Sequence, residues 1–325
     1  MTGSPASARL GRFMADYGVL VVLAVLVVAM ALATPHFLTA GNLVNVLRQV
    51  SINAIIACGM TIVIITAGID LSVGSLVALA SCLAMITITR TESDLLGLAA
   101  AIAAGGLAGA LNGALIAWAR VPPFIMTLST LTIFSGIALI STGGAPIIRF
   151  QGDFRWFGQG LIHGVPVPVL ITAAIALTMH VVLSRTAFGA SIYAVGGNEE
   201  AARLSGINVR RVKFLVYVIC GLLTGLAAMV LMGRLSSAQP NMGQGFELDA
   251  IAAVVLGGTS LMGGRGTIWG ALVGALVIGI LNNGFNLLSV DPYFQLVAKG
   301  LIILAAVLID DRLRRGFQAR TRTSG

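Results

Sequence analysis

Three asparagines fall within one apolar run: Asn282, Asn283 and Asn286. A carboxamide offers a donor and an acceptor without a charge, which suits a hydroxyl-rich ligand better than an ion. Asn282 and Asn286 are four residues apart and share a helix face. Asn112 lies in an earlier apolar run. Two uses compete for such residues: they line a path for a polar solute, or they hydrogen-bond neighbouring helices.

A carboxylate supplies the second candidate. Gly68-Ile69-Asp70-Leu71-Ser72-Val73-Gly74-Ser75 separates two apolar runs with almost no polar linker. A carboxylate close to hydrocarbon is costly unless it is capped, paired or wet. Asp70 either caps the helix opening near Ser72 or, together with Ser72, gates or lines a path on the inner side. A shorter pattern, Gly258-Thr259-Ser260-Leu261, also follows one apolar run and opens the next. The match hints at an internal repeat.

The third candidate lies in the charged stretch 185–211. Asn198 is a good N-cap, and Glu199 and Glu200 fall in the positively polarised first turn. Ala201, Ala202, Arg203, Leu204 and Ser205 continue the helix, Gly206 can end it, and Ile207 follows. Glu199 and Arg203 have the i,i+4 spacing of an ion pair. So short a helix is marginal alone and gains stability by docking on a partner. The alternative is an ordinary solvated loop helix.

The elements that must carry these groups are set by composition. Hydrophobic residues make up 57% of 325 positions, charged residues only 10%, and mean hydropathy is +0.98. Soluble domains carry about 25% charged residues. Most of this chain's surface must therefore face lipid or other apolar helices. Apolar windows fall near 15–34, 44–67, 72–89, 94–118, 123–142, 165–184, 212–232, 249–263, 266–288 and 292–309. At roughly 20 residues per crossing, they predict an all-α, polytopic transmembrane bundle of about ten spans. The window at 249–263 is short and glycine-rich at its end, which fits a half-span or a sheltered short span. Arg9 and Arg12 before a run ending Ala31-Leu32-Ala33 resemble a signal peptide, but the run is long for one. An uncleaved first helix is the favoured reading.

Ten crossings put both termini on one side. Fourteen of the 20 lysines and arginines then share that side, whereas Arg90, Arg149, Arg155 and Arg234 face the other. The bias places both termini in the cytoplasm. The chain divides into a cytoplasmic segment 1–14, a permease domain 15–309 with an inner loop 185–211, and a basic cytoplasmic tail 310–325. The net charge of +8 is accounted for by these loops, not by a nucleic-acid face. The outer stretches 143–164 and 233–248 are long enough to carry surface elements.

Other chemistries find no support. GxxxxGK[ST], HExxH and GxSxG are missing, and Gly263-Gly264-Arg265-Gly266-Thr267 lacks the lysine of a phosphate loop. Cys58, Cys82 and Cys220 lie singly in apolar runs, and the three histidines are scattered, so no metal site is assigned. Ionisable groups are nearly missing from the windows. Ion-coupled carriers usually need them, so the energy source is expected outside the chain.

Several long motifs, in one order, resemble the membrane subunit of bacterial ribose-type ABC sugar importers. They are Gly59-Met60-Thr61 with Gly68 to Ser75, Gly196 to Val209, Arg234 to Pro240, Glu247 to Leu261, and Leu281-Asn282-Asn283-Gly284. The resemblance implies a permease without its own ATPase site or cofactor, with ATP used by partner subunits. It implies a second permease copy, two ABC ATPase subunits and a periplasmic sugar-binding protein, at the bacterial inner membrane. It maps the family's coupling helix onto Asn198 to Ile207. Relatives often carry arginine where this chain has Ser135, which weakens an assignment to ribose itself. An ion-coupled secondary carrier, a branched-chain amino acid permease and an exporter on the same fold are the competing readings.

Overall fold

Helix α2 (Ala40–Ile65) is almost wholly apolar from Ala54 onward, and a helix apolar on all sides belongs in an interior. In the computed structural model it is the central helix, with 89% of its apolar window buried. The structure describes residues 5–302 and 304, with side chains from Gly18 onward. The predicted basic tail 310–325 lies outside the described residues.

The other helices complete the bundle. They are α1 (Pro5–Ala33), α3 (Val73–Thr91), α4 (Asp94–Ala117), α5 (Pro123–Thr142), α6 (Trp156–Gln159), α7 (Val167–Arg185), α8 (Ala187–Gly197), α9 (Glu199–Leu204), α10 (Val209–Leu235), α11 (Phe246–Leu256) and α12 (Ile268–Leu287). A further helix, α13, covers 292–302. Among the described residues seven of these, α2, α3, α4, α5, α7, α10 and α12, are long and apolar enough to cross a membrane. Local signals set their starts. Thr39, Ser93, Thr186 and Thr267 each accept a backbone N–H of the first turn through the side-chain hydroxyl, and Pro123 opens α5.

Packing follows from small residues. Gly105, Gly109 and Gly113 form one stripe along α4, against Gly221, Tyr217 and Phe214 of α10. As α4 numbers rise, α10 numbers fall, so the two helices are antiparallel. A Cβ on Gly221 would collide with the Gly105 carbonyl, so backbone meets backbone here. Such close approach is how helices associate where lipid removes the hydrophobic driving force.

The window at 249–263 resolves into α11, 11 residues or about 16 Å long, followed by an irregular turn. That turn seats on the end of α2: Gly264 N–H donates to the Ile65 carbonyl (2.9 Å), and the Tyr193 hydroxyl donates to the Gly266 carbonyl (2.8 Å). Irregular backbone within such a bundle is tolerated where protein satisfies it.

The all-α reading stands, with two small exceptions. Strand β1 (Ile147–Ile148) pairs antiparallel with β4 (Ser237–Ala238), and β2 (Leu161–Ile162) with β3 (Val165–Pro166).

Candidate functional site

Helix α9 stands at the end of the bundle where α2 stops. Asn198 Oδ1 accepts the Ala201 N–H at 2.9 Å, the N-cap geometry its sequence position predicts. At the other end, Gly206 N–H donates to Arg203 O and Ile207 N–H to Ala202 O, with Gly206 at φ +85°. This is a Schellman closure, and it requires a residue that tolerates positive φ. Glu200, not Glu199, pairs with Arg203, at 2.6 Å. The Glu200 carboxylate raises the Arg203 guanidinium further above its ordinary value, chiefly through this hydrogen bond. Glu199 turns instead to Lys213 on α10, also at 2.6 Å. The expected i,i+4 pair is thus replaced by two others, because Lys213 holds Glu199 against α10.

Ala202 is buried, whereas Leu204 is 78% exposed. The helix therefore has one anchored residue and one apolar side chain offered outward. Beside it lies a groove of about 510 Å³ lined by Arg120, Pro122, Glu199, Arg203, Arg210 and Lys213. The α4–α5 turn, which brings Arg120 and Pro122, was not singled out from sequence. Only the fold brings it beside α9. Preceding the helix, α8 comes so close to α2 that a Cβ on Gly196 would overlap the Ile65 carbonyl. The base of α9 is thereby fixed to the central helix.

Asp70, Ser72 and Asn112 come together in one buried cluster. Asp70 Oδ1 accepts both the Ser72 N–H (2.9 Å) and the Ser72 hydroxyl (2.6 Å). Asn112 Nδ2 donates to Ser72 Oγ at 3.0 Å. The Ile69 carbonyl accepts from the hydroxyls of Thr127 and Tyr217 (both 3.2 Å). The turn is therefore tied to α4, α5 and α10; Asp70 closes it onto Ser72, the residue before α3, and no side chain caps α3 itself. None of the three lines either cavity described here.

The asparagines of α12 divide. Asn283 exchanges hydrogen bonds with Asn42 of α2, at 2.8 and 3.0 Å, which is an interhelical tether. Asn282 and Asn286 face a cavity of about 190 Å³. There Asn282 Nδ2 donates to Asp249 Oδ2 (3.2 Å), as does Asn53 Nδ2 (3.5 Å), and Lys299 Nζ lies 3.0 Å from the same carboxylate. Asn53 carries no signal of its own in the sequence. Asp249 lies within the Glu247 to Leu261 motif, and nothing in the sequence links it to Lys299.

At the opposite end from α9, the stretches 143–164 and 233–248 are joined. Besides the β1–β4 pair, Gln159 Nε2 reaches the carbonyls of Gly233 (3.2 Å) and Arg234 (3.0 Å) and Ser236 Oγ (3.1 Å). Arg155 donates to Gln159 Oε1 at 2.9 Å, and Arg48 donates to the Gln159 carbonyl at 2.7 Å.

Residues 42–307 match the family described as branched-chain amino acid transport system / permease component. The chain is 49% identical over 297 residues to the ribose import permease protein of Escherichia coli K12, covering 90% of this chain and 92% of that one. It is 48% identical over 288 residues to the ribose import permease protein of Bacillus subtilis 168, covering 88% and 89%. The L-arabinose transport system permease protein of Escherichia coli K12 is 39% identical over 310 residues, covering 95% and 94%. No solved structure matches.

Proposed function

Since the chain belongs to this family of transport-system permease components, we propose that it is the membrane-spanning permease of an ATP-binding cassette importer for a monosaccharide. It is a multi-pass protein of the bacterial inner membrane. The relatives named for ribose and arabinose favour a sugar over a branched-chain amino acid. The finer parts of the reading are ten crossings with cytoplasmic termini, pairing with a second copy, two ATPase subunits at the α9 end, and a sugar-binding protein at the Gln159 end.

One observation carries the coupling role. Helix α9 is capped at both ends, its base is fixed to α2, and it presents Leu204 beside a charged groove. A helix of six residues is marginal alone, and docking on a partner would stabilise it. Asn198 to Ile207 is thus read as the segment on which an ATPase subunit docks. Closure of the ATPase pair would push α9, and the bundle would reopen on the other side. Asp70, Ser72 and Asn112 hold the turn between α2 and α3 during that motion, and Asn283 tethers α12 to α2. Asn282 and Asn286 remain as lining candidates.

The test is reconstitution. Proteoliposomes containing the permease, its ATPase partner and its binding protein should accumulate labelled D-ribose only with ATP at the ATPase face. Uptake by the permease alone under an ion gradient would establish a secondary carrier instead. Selective uptake of L-leucine would establish the amino acid alternative.

A further inference from the structure

Asp70 is 1% exposed, and its surroundings lack what usually keeps a buried carboxylate charged. Among the described residues it forms no ion pair; the pairs that form are Arg203–Glu200, Lys213–Glu199 and Lys299–Asp249. It lines neither cavity and caps no helix. Two hydrogen bonds reach it, both from Ser72 and both on Oδ1. Among the described residues none reaches Oδ2. The side chains bonded around the turn, Ser72, Asn112 of α4 and Thr127 of α5, are uncharged. The titratable groups that face Asp70 are Tyr217 and Cys220 of α10, and neither is ever a cation. Glu247 of α11, against Gly74 near the start of α3, adds a second carboxyl and no counter-charge. An isolated buried ion is so costly that such a group takes up a proton instead. Donors are also in short supply, since Asn112 Oδ1 is buried without a partner. A proton on Asp70 turns one surplus acceptor into a donor.

We propose that Asp70 is a buried proton-binding site: at neutral pH it is a carboxylic acid, with Oδ1 the carbonyl that accepts both Ser72 donors and Oδ2 the hydroxyl. Burial pushes the Asp70 carboxyl above the usual carboxylate range, and the two bonds from Ser72 offset this only in part. The proton works as a pin. The turn begins at Ile65, whose carbonyl accepts Gly264 N–H at 2.9 Å and meets Gly196 at the base of α9. Ionisation would place a lone charge in the link between that seat and α3. Kept neutral, the link holds both together without a counter-ion. The inference concerns this chain's own protonation and stands apart from what the permease carries.

The test is infrared spectroscopy of the purified full chain in lipid. A protonated carboxyl absorbs above the amide I band and moves to lower frequency in heavy water. The native spectrum minus that of Asp70→Asn should show one such band at neutral pH. Ser72→Ala keeps the acid but removes a bond to its carbonyl, and should shift the same band upward. That variant carries the test if Asp70→Asn fails to fold. Melting gives an independent reading. An unfolded aspartate releases its proton near a pKa of about 3.9, whereas the folded one retains it. The unfolded state then binds fewer protons, so this group's contribution to stability falls as pH rises above that value. From mildly acidic to neutral buffer, the native protein should therefore lose melting temperature relative to Asp70→Asn. A native spectrum without the band, or a band that both substitutions leave unchanged, overturns the proposal. So does a melting difference that runs the other way with pH.

Discussion

Lys213 Nζ lies 2.6 Å from Glu199 Oε2, across 14 positions of sequence, and so joins the short helix α9 to the long helix α10. The lysine side chain is 21% exposed and the glutamate 57%. A pair this wet contributes little to stability, typically 0–1 kcal/mol. In the proposed coupling role its importance would be geometric: a lever transmits only what its attachment passes on.

That geometry gives the first prediction. Glu199→Lys and Lys213→Glu should each reduce ATP-driven sugar uptake by about tenfold, with detergent melting temperatures near that of the native protein. The double swap should restore most of the uptake, because contacting charges couple non-additively. Glu199→Arg with Arg203→Glu, the exchange that sequence spacing alone would select, should not rescue, since Arg203 is engaged with Glu200. Uptake assays on the four variants decide the matter.

The second prediction concerns the α4–α10 contact. Gly221 faces the Gly105 backbone with no room for a side chain, and Gly225 faces Ala101 in the same way. Gly221→Val should lower the melting temperature markedly, since overpacking a close contact costs about 1–3 kcal/mol or more. Gly136, with nothing within 4 Å of a Cβ, is the control, and Gly136→Ala should leave melting unchanged. Equal effects at the two sites would mean that α4 and α10 are not packed backbone to backbone.

How much of this was legible beforehand follows sequence distance. Composition and apolar windows gave the helices, because hydropathy is a local property. The cap at Asn198 and the closure at Gly206 were legible for the same reason: each bonds within a few residues. Asp70 does not cap α3 as its position predicts: its carboxylate bonds Ser72, two residues on and just before the helix. The pair Asp249–Lys299 spans 50 residues and Asn42–Asn283 spans 241, and no periodicity links such positions. The two outer stretches were recognised separately, but their pairing was not, since β1 and β4 are two residues each and too short for a strand pattern.

A third prediction tests the Asp70 cluster. Ser72 Oγ stands between Asp70 and Asn112 and bonds both. Ser72→Ala leaves the Asn112 amide without its acceptor, and should cost about 1–3 kcal/mol of stability. Asp70→Asn keeps an acceptor for the Ser72 N–H and should be milder than Asp70→Leu, which keeps none. Thermal unfolding in detergent ranks the three. The reverse order, with Asp70→Asn the most damaging, would mean that the carboxylate's charge matters beyond its hydrogen bonds.

The last prediction lies at the opposite end of the bundle. Gln159 binds two carbonyls and a hydroxyl of 233–236 with its NH2 group, while Arg155 and Arg48 bind its two oxygens. One side chain therefore ties the stretches 143–164 and 233–248 together and accepts Arg155, while its backbone carbonyl accepts Arg48. If a binding protein docks here, it meets a preformed surface and loses little entropy in ordering it. Gln159→Leu retains the size and the backbone bond from Arg48 but none of the side-chain bonds. It should weaken binding-protein stimulation of the ATPase by roughly tenfold in apparent affinity, equivalent to about 1.4 kcal/mol. The basal ATPase rate, which the proposed function sets at the α9 end, should change little. Arg155→Ala should act in the same direction, and its effect should shrink at high salt if the arginine steers an acidic partner. A titration of ATPase rate against binding protein at two salt concentrations measures all of this. Loss of basal rate without loss of apparent affinity would place the role of Gln159 in the bundle's own motion and not in docking.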